Sequence, residues 1–275
     1  MPFARVRELD VYYERTGARD GAPLLFINGT GGDLRHRPGL TGALPPERFD
    51  VVAYDQRGLG QTSIPEGPYS MEQYGDDAAG LLDALGIESA HVIGVSFGGM
   101  VAQHLAIRHP HRVRRLVLAC TSSGGAGGAS YPLHELEGES DARYRGERFL
   151  EICDTRWDAA WRAREPDAFD RLVGMMAARA PIAADADAAR EAARGAALQL
   201  EARRFHDVYD RLGEIAAPTL VCGGRYDGIA PEANQRALAG RIPHAELALF
   251  EGGHLFLLQD GAAFPHIVAF LEATG

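Results

Sequence analysis

Lysine is missing from this sequence: all 28 of its basic side chains are arginine. That absence excludes Schiff-base lysine chemistry and a Walker A phosphate loop, both of which need the ammonium group. Cysteine is scarce. Cys120, Cys153 and Cys222 are scattered and odd in number, with neither metal-ligand spacing nor a disulfide framework. Cys120 and Cys222 lie in apolar runs, where a thiol usually packs as a small hydrophobe. There is no excess of positive charge; the formal net charge is −10, which argues against nucleic acid as a partner. No apolar run is long enough to span a membrane, and Met1 to Leu9 does not read as a signal peptide. The expectation is a cytoplasmic protein acting on a small molecule, with no membrane partner.

What is present is a repeated grammar. The 275 residues suit one α/β core carrying an insertion, and an apolar fraction of 46% is enough to bury it. Val6 to Arg15 alternates and predicts one or two antiparallel edge strands. Then come short apolar runs, most of them ending in a Gly-containing turn: Pro23–Ile27, Asp50–Tyr54, His91–Val95, Val113–Ala119, Thr219–Cys222 and Ala245–Phe250. Runs this continuous predict strands covered on both faces, hence a mostly parallel sheet. Helical spacing lies between them. Ser70 with Gln73 forms a capping box ahead of Met71, Tyr74, Ala78, Leu81 and Leu82. Phe97 to His109 is helical and stops at Pro110, Pro231 opens another helix, and Phe264, Ile267, Val268 and Leu271 give the last helix one buried face. Helices alternating with strands predict α/β architecture.

The alternation breaks once. Thr121 to Gly128 is a Gly/Ser stretch that reads as a flexible hinge, and a helix-rich segment rich in Ala and Arg follows, with no convincing strand before Thr219. The predicted organisation is a core over 1–128, a helical cap over 129–212 and the rest of the core over 213–275.

Gly94-Val95-Ser96-Phe97-Gly98 fits G-x-S-x-G, and it falls where a strand meets a helix. A serine on that sharp turn points its Oγ out of the sheet, and the helix start lends an N–H and positive potential to an oxyanion. A hydroxyl nucleophile needs a base, and the base needs an orienting carboxylate. His254 follows the last strand after a Gly pair. Asp227, in Gly224-Arg225-Tyr226-Asp227-Gly228, follows the strand before it, whereas Cys120 to Gly128 holds no acid. The order Ser, Asp, His is the hydrolase order. The second oxyanion donor should come from Asn28-Gly29-Thr30-Gly31-Gly32, and the N–H groups of Thr30 and Phe97 are the candidates.

These residues resemble the α/β-hydrolase superfamily over nearly the whole chain. Asp55-Gln56-Arg57-Gly58-Leu59-Gly60 is similar to the family's D-x-R-G-x-G stretch, with Thr62 and Ser63 offset around its expected Ser; Phe97 to Ala102 and Pro110 to Val113 are also typical. Within the superfamily the chain is most similar to the 3-oxoadipate enol-lactonase-like and carboxylesterase-like branch, on Gly67 to Ser70, Leu81 to Ile87 and Asn28-Gly29 where most relatives carry His-Gly. The resemblance implies an α/β-hydrolase fold and a serine hydrolase of small to medium esters or lactones, with no metal or organic cofactor. Alternatives on the same scaffold are hydrolysis of an enol-lactone acid or a C–C bond, a thioesterase and a perhydrolase; a slow-turnover ligand receptor is the alternative from another class. Candidate substrate contacts are Asn28, Gly29, Trp157, Trp161, Met175 and Phe205, the last four drawn from the apolar residues of the cap.

Overall fold

The computed structural model describes residues 2–136, 142–177 and 182–273. Its eight strands form one sheet in the order β1-β2-β4-β3-β5-β6-β7-β8. β1 (Phe3–Val6) and β2 (Leu9–Gly17) make an antiparallel hairpin, and β2 pairs antiparallel with β4 (Phe49–Tyr54). β3 (Ala22–Ile27), β4, β5 (Ala90–Val95), β6 (Val113–Ala119), β7 (Thr219–Gly224) and β8 (Glu246–Phe250) run parallel.

Strand periodicity divides the apolar runs between two cores. Leu25, Ile27, Val52, Tyr54, Val92, Leu116 and Leu118 face α1 (Met71–Ala84) and α2 (Phe97–Arg108). Their neighbours Leu24, Phe26, Val51, Ala53, Ile93, Val117 and Ala119 form the opposite core. The capping box starts α1 as expected: Gln73 N–H donates to Ser70 Oγ at 3.3 Å and Ser70 N–H to Gln73 Oε1 at 3.0 Å. Arg57, buried after β4, donates to Asp77 of α1 at 2.8 and 2.9 Å and pairs with Glu8 at 2.7 Å, so its charge is neutralised where water is excluded.

Between β6 and β7 lie α3 (Ala142–Cys153), α4 (Ala159–Arg164), α5 (Pro166–Ala177) and α6 (Ala186–Arg204), with no strand among the described residues. Parts of the segment read as a cap, 137–141 and 178–181, lie outside the described residues. The 19-residue α6 lies against the loop ends of the sheet. Gln199 Oε1 accepts the Gly31 N–H at 2.9 Å, and any side chain at Gly195 would overlap the Gly58 carbonyl. α7 (Glu232–Arg241), α8 (Phe256–Gln259) and α9 (Ala263–Glu272) complete the chain, with Phe264, Ile267, Val268 and Leu271 buried as their spacing predicts. No described helix is long and apolar enough to cross a membrane.

The Gly/Ser stretch after β6 is packed at its start. Thr121, Ser122, Ser123 and Gly124 are buried, and Val208 N–H donates to the Ser123 carbonyl at 2.9 Å. Small residues are needed there because chains meet closely: a Cβ on Gly124 would overlap the His206 carbonyl.

Candidate active site

Ser96 sits between β5 and α2 with φ 55° and ψ −116°, a conformation unfavourable for any residue with a side chain. Its surroundings hold it there. Ser96 N–H donates to the Ala119 carbonyl at 2.8 Å, and Thr121 Oγ donates to the Ser96 carbonyl at 2.7 Å. A Cβ at Gly98 would overlap the Ile27 carbonyl, and one at Gly94 the Gly98 carbonyl, which is why the motif needs both glycines.

Asp227 follows β7 and is buried. Its Oδ1 accepts the Ile229 and Ala230 N–H groups at 2.8 and 2.9 Å, leaving Oδ2 2.8 Å from His254 Nδ1. An ionised carboxylate only accepts, so Nδ1 carries the ring proton and Nε2 is left as an acceptor. That nitrogen lies 3.0 Å from Ser96 Oγ. Three residues from three separate loops thus form one continuous hydrogen-bonded chain.

Contacts that the sequence reading missed hold the His254 loop. His254 N–H donates to the Cys153 carbonyl at the end of α3, Gly253 N–H to Gln259 Oε1 at 2.8 Å, and Gln259 Nε2 to buried Asp154 at 2.9 Å. The Asp154 contact joins two positions 105 residues apart, and no sequence pattern signals such a pairing.

Asn28, Gly29 and Thr30 line the same cavity as Ser96 and His254, a space of ≈ 560 Å³. A Cβ at Gly29 would lie 3.4 Å from Ser96 Cβ, so the loop passes directly beside the nucleophile position. Gln56 Nε2 holds the Asn28 carbonyl at 2.8 Å. Phe97 is the first residue of α2, so its N–H has no acceptor within that helix.

The apolar wall differs from expectation. Trp157 and Trp161 stack on each other with ring centroids 5.8 Å apart, inside the packing of the helical segment. Met175 and Phe205 are 58% and 70% exposed, and none of these four lines the cavity. Adjacent helical residues point about 100° apart, so Met176 faces the cavity where Met175 does not. Leu133, Leu136, Phe149, Leu200, Leu255 and Leu258 supply further apolar surface, with Arg145 among them.

Among the described residues, one group of Cys, His and acidic side chains is close enough to share a metal ion: Cys120, Asp227 and His254. Burial and the nearby Asp227 push the Cys120 thiol well up, so it stays protonated and is a poor metal ligand.

The sequence profile described as alpha/beta hydrolase fold matches residues 22–261. A poly(3-hydroxyalkanoate) depolymerase of Ectopseudomonas oleovorans is 34% identical over 98% of this chain and 92% of its own length. The 3-oxoadipate enol-lactonase 2 of Acinetobacter baylyi is 29% identical over 95% of this chain and 92% of its own. The crystal structure of the enol-lactonase from Burkholderia xenovorans LB400 superposes with a TM-score of 0.78 at 26% identity, covering 99% of this chain and 100% of that one. The chain therefore belongs to the α/β hydrolase fold family.

Proposed function

We propose that this protein is a serine hydrolase that cleaves a small to medium carboxylic ester or lactone through an acyl-enzyme on Ser96. The observation that carries the reading is the hydrogen-bonded chain Ser96–His254–Asp227 opening into one apolar-walled cavity. Ser96 Oγ attacks the carbonyl carbon as His254 Nε2 takes its proton. Asp227 keeps the imidazole in the tautomer that can accept and stabilises the imidazolium that results. The tetrahedral oxyanion is held by the Thr30 and Phe97 N–H groups at the positive end of α2. His254 then returns the proton to the leaving oxygen. In the second half it deprotonates a water that releases the acid and frees Ser96. Every proton moves between substrate, water and these side chains, so the mechanism calls for no metal or organic cofactor.

The segment over 129–212 serves as a cap in this reading. Support comes from Leu200 on α6 and Phe149 and Arg145 on α3, which share the cavity with Ser96. The likeness to an enol-lactonase and to a poly(3-hydroxyalkanoate) depolymerase supports oxygen-ester chemistry. Arg145 gives the enol-lactone acid a specific basis as the second reading, because a guanidinium on the cavity wall suits a substrate carboxylate.

Reaction with a fluorophosphonate followed by peptide mapping tests the nucleophile directly. The label is expected on Ser96, with Ser96→Ala unlabelled, folded and inactive toward esters and lactones. Full activity in Ser96→Ala would refute the proposal.

A further inference from the structure

Two arginines are buried in the described structure, and they are provided for differently. Arg57 has Asp77 and Glu8. Arg203, at the end of α6 and 6% exposed, has no carboxylate partner among the described residues. Its Nη2 donates to Ser130 Oγ at 2.6 Å and the Tyr131 carbonyl at 2.9 Å, while its Nε–H is buried with no acceptor. A guanidinium held in a dry site without a counter-charge is costly. Burial alone draws this one down to about 10, with no nearby acid to oppose it.

A second cavity of ≈ 110 Å³ opens against this side chain, lined by Arg203, Arg204, Ser122, His134 and His206, with a wall distinct from that around Ser96. The Ser122 hydroxyl and His134 Nδ1 are also buried there without hydrogen-bond partners. His206 Nε2 lies 3.1 Å from the Ser122 carbonyl, which can only accept, so the proton is on Nε2. His206 Nδ1 then accepts from His104 Nε2 at 3.3 Å, and both rings are neutral. The cavity thus gathers an unpaired buried cation and a spare hydroxyl, with no acid on its wall.

We propose that this cavity is a small-oxyanion site, taking a phosphate- or carboxylate-sized anion on the Arg203 Nε–H and the Ser122 hydroxyl. Its volume holds several waters or one such ion. The anion supplies the counter-charge that Arg203 lacks, and Arg204 adds a second positive charge at the wall. The site is independent of the hydrolytic reading, since none of its residues belongs to the Ser96 chain.

Inorganic phosphate and acetate are the probes, titrated at constant ionic strength against protein whose Ser96 is blocked by fluorophosphonate. Calorimetric binding and the thermal midpoint are followed together, because an anion bound only by the folded state raises the midpoint in a saturable way. We expect one saturable site for at least one probe. Arg203→Met should weaken it roughly tenfold or more, and Ser122→Ala by a smaller factor, as loss of a charge-assisted bond requires. In anion-free buffer Arg203→Met should unfold no earlier than wild type, because a buried charge has been removed. If that variant fails to fold, Ser122→Ala and the unmutated protein still decide. No saturable binding, or an equal response in wild type and the variants as general salting-out produces, would overturn the proposal. Binding to unblocked protein alone would also overturn it, by placing the anion beside Ser96.

Discussion

Thr121 Oγ donates to the carbonyl oxygen of Ser96 at 2.7 Å, so the loop after β6 fastens the strained turn that presents the nucleophile. Thr121→Val keeps the shape of this buried side chain and removes one donor from that carbonyl, leaving the Gly99 and Met100 N–H groups at 2.9 and 3.3 Å. One net hydrogen bond contributes about 0.5–1.5 kcal/mol. Denaturant unfolding should show this loss. In the proposed reaction kcat should fall more than KM, because the turn and not the cavity wall has been loosened. Unchanged stability and kcat would show that Ser96 holds its backbone without help.

Asp227→Asn should keep the fold and lose roughly four powers of ten in kcat. The amide oxygen can still accept the Ile229 and Ala230 N–H groups that Asp227 Oδ1 now holds. Its NH2 would then face His254 Nδ1, where only an unprotonated nitrogen can accept. The imidazole proton would move to Nε2, and the ring could no longer take the Ser96 proton. Steady-state kinetics with matching circular dichroism spectra checks this; near-normal turnover would move the orienting acid elsewhere.

How far the sequence could be read depended on the range of the forces concerned. The strands, the capping box at Ser70 and the spacing of Ser96, Asp227 and His254 follow from local periodicity and turn chemistry, and these were legible. The wall of the cavity was not. Helical spacing marks Trp157, Trp161 and Met175 as apolar, yet it cannot say whether such a residue packs on a neighbouring helix, faces substrate or stays in solvent. Phe205 was misread for a related reason: it caps the C-terminal end of α6, outside that helix's buried stripe. The Gly/Ser stretch read as a hinge because composition reports conformational freedom, not the close approach to His206 that demands small residues. Arg203 and Ser122 carry no local signal at all, since their cavity is assembled from distant parts of the chain.

Stability should fall as pH drops from 7 to 5. Burial holds His91 and His104 near about 4 and His206 near about 3 in the folded protein. Unfolded histidine titrates near ~6.5, so across this window the unfolded chain binds protons that the folded one refuses. The stabilisation is therefore complete above ~6.5 and lost progressively as pH falls toward the folded values. Asp55 opposes this: burial raises it to about 6, so the folded state gains a proton that the unfolded carboxyl, near ~3.9, does not hold. Three histidines against this carboxyl leave about two protons in favour of unfolding near pH 5. Denaturant titrations at several pH values measure the slope. Replacing His104 by Gln should flatten it by about one proton, and an unchanged slope would remove His104 from the account.

Substrate selectivity should follow the cavity wall. Leucine and phenylalanine side chains dominate the space around Ser96, and a fully buried apolar group contributes about 1.5–3 kcal/mol to holding an acyl chain. Charged groups also reach the wall. Arg37, which pairs with Glu14 at 2.5 Å, and Arg145 of α3 are both on that wall. We expect neutral esters and lactones of small to medium size to be turned over with higher kcat/KM than matched substrates bearing a carboxylate. Leu200→Ala, which widens the cavity where α6 lines it, should raise KM for short acyl chains and shift the preference toward longer ones. The Arg145→Gln variant separates the two readings. If the neutral substrates are preferred, it should change their kinetics less than about threefold, since uniform binding lost from one rim charge is small. A large advantage for the carboxylate-bearing substrate in wild type, abolished in Arg145→Gln with neutral turnover intact, would overturn that preference. It would identify the charged lactone acid as the substrate class and Arg145 as the residue that selects it.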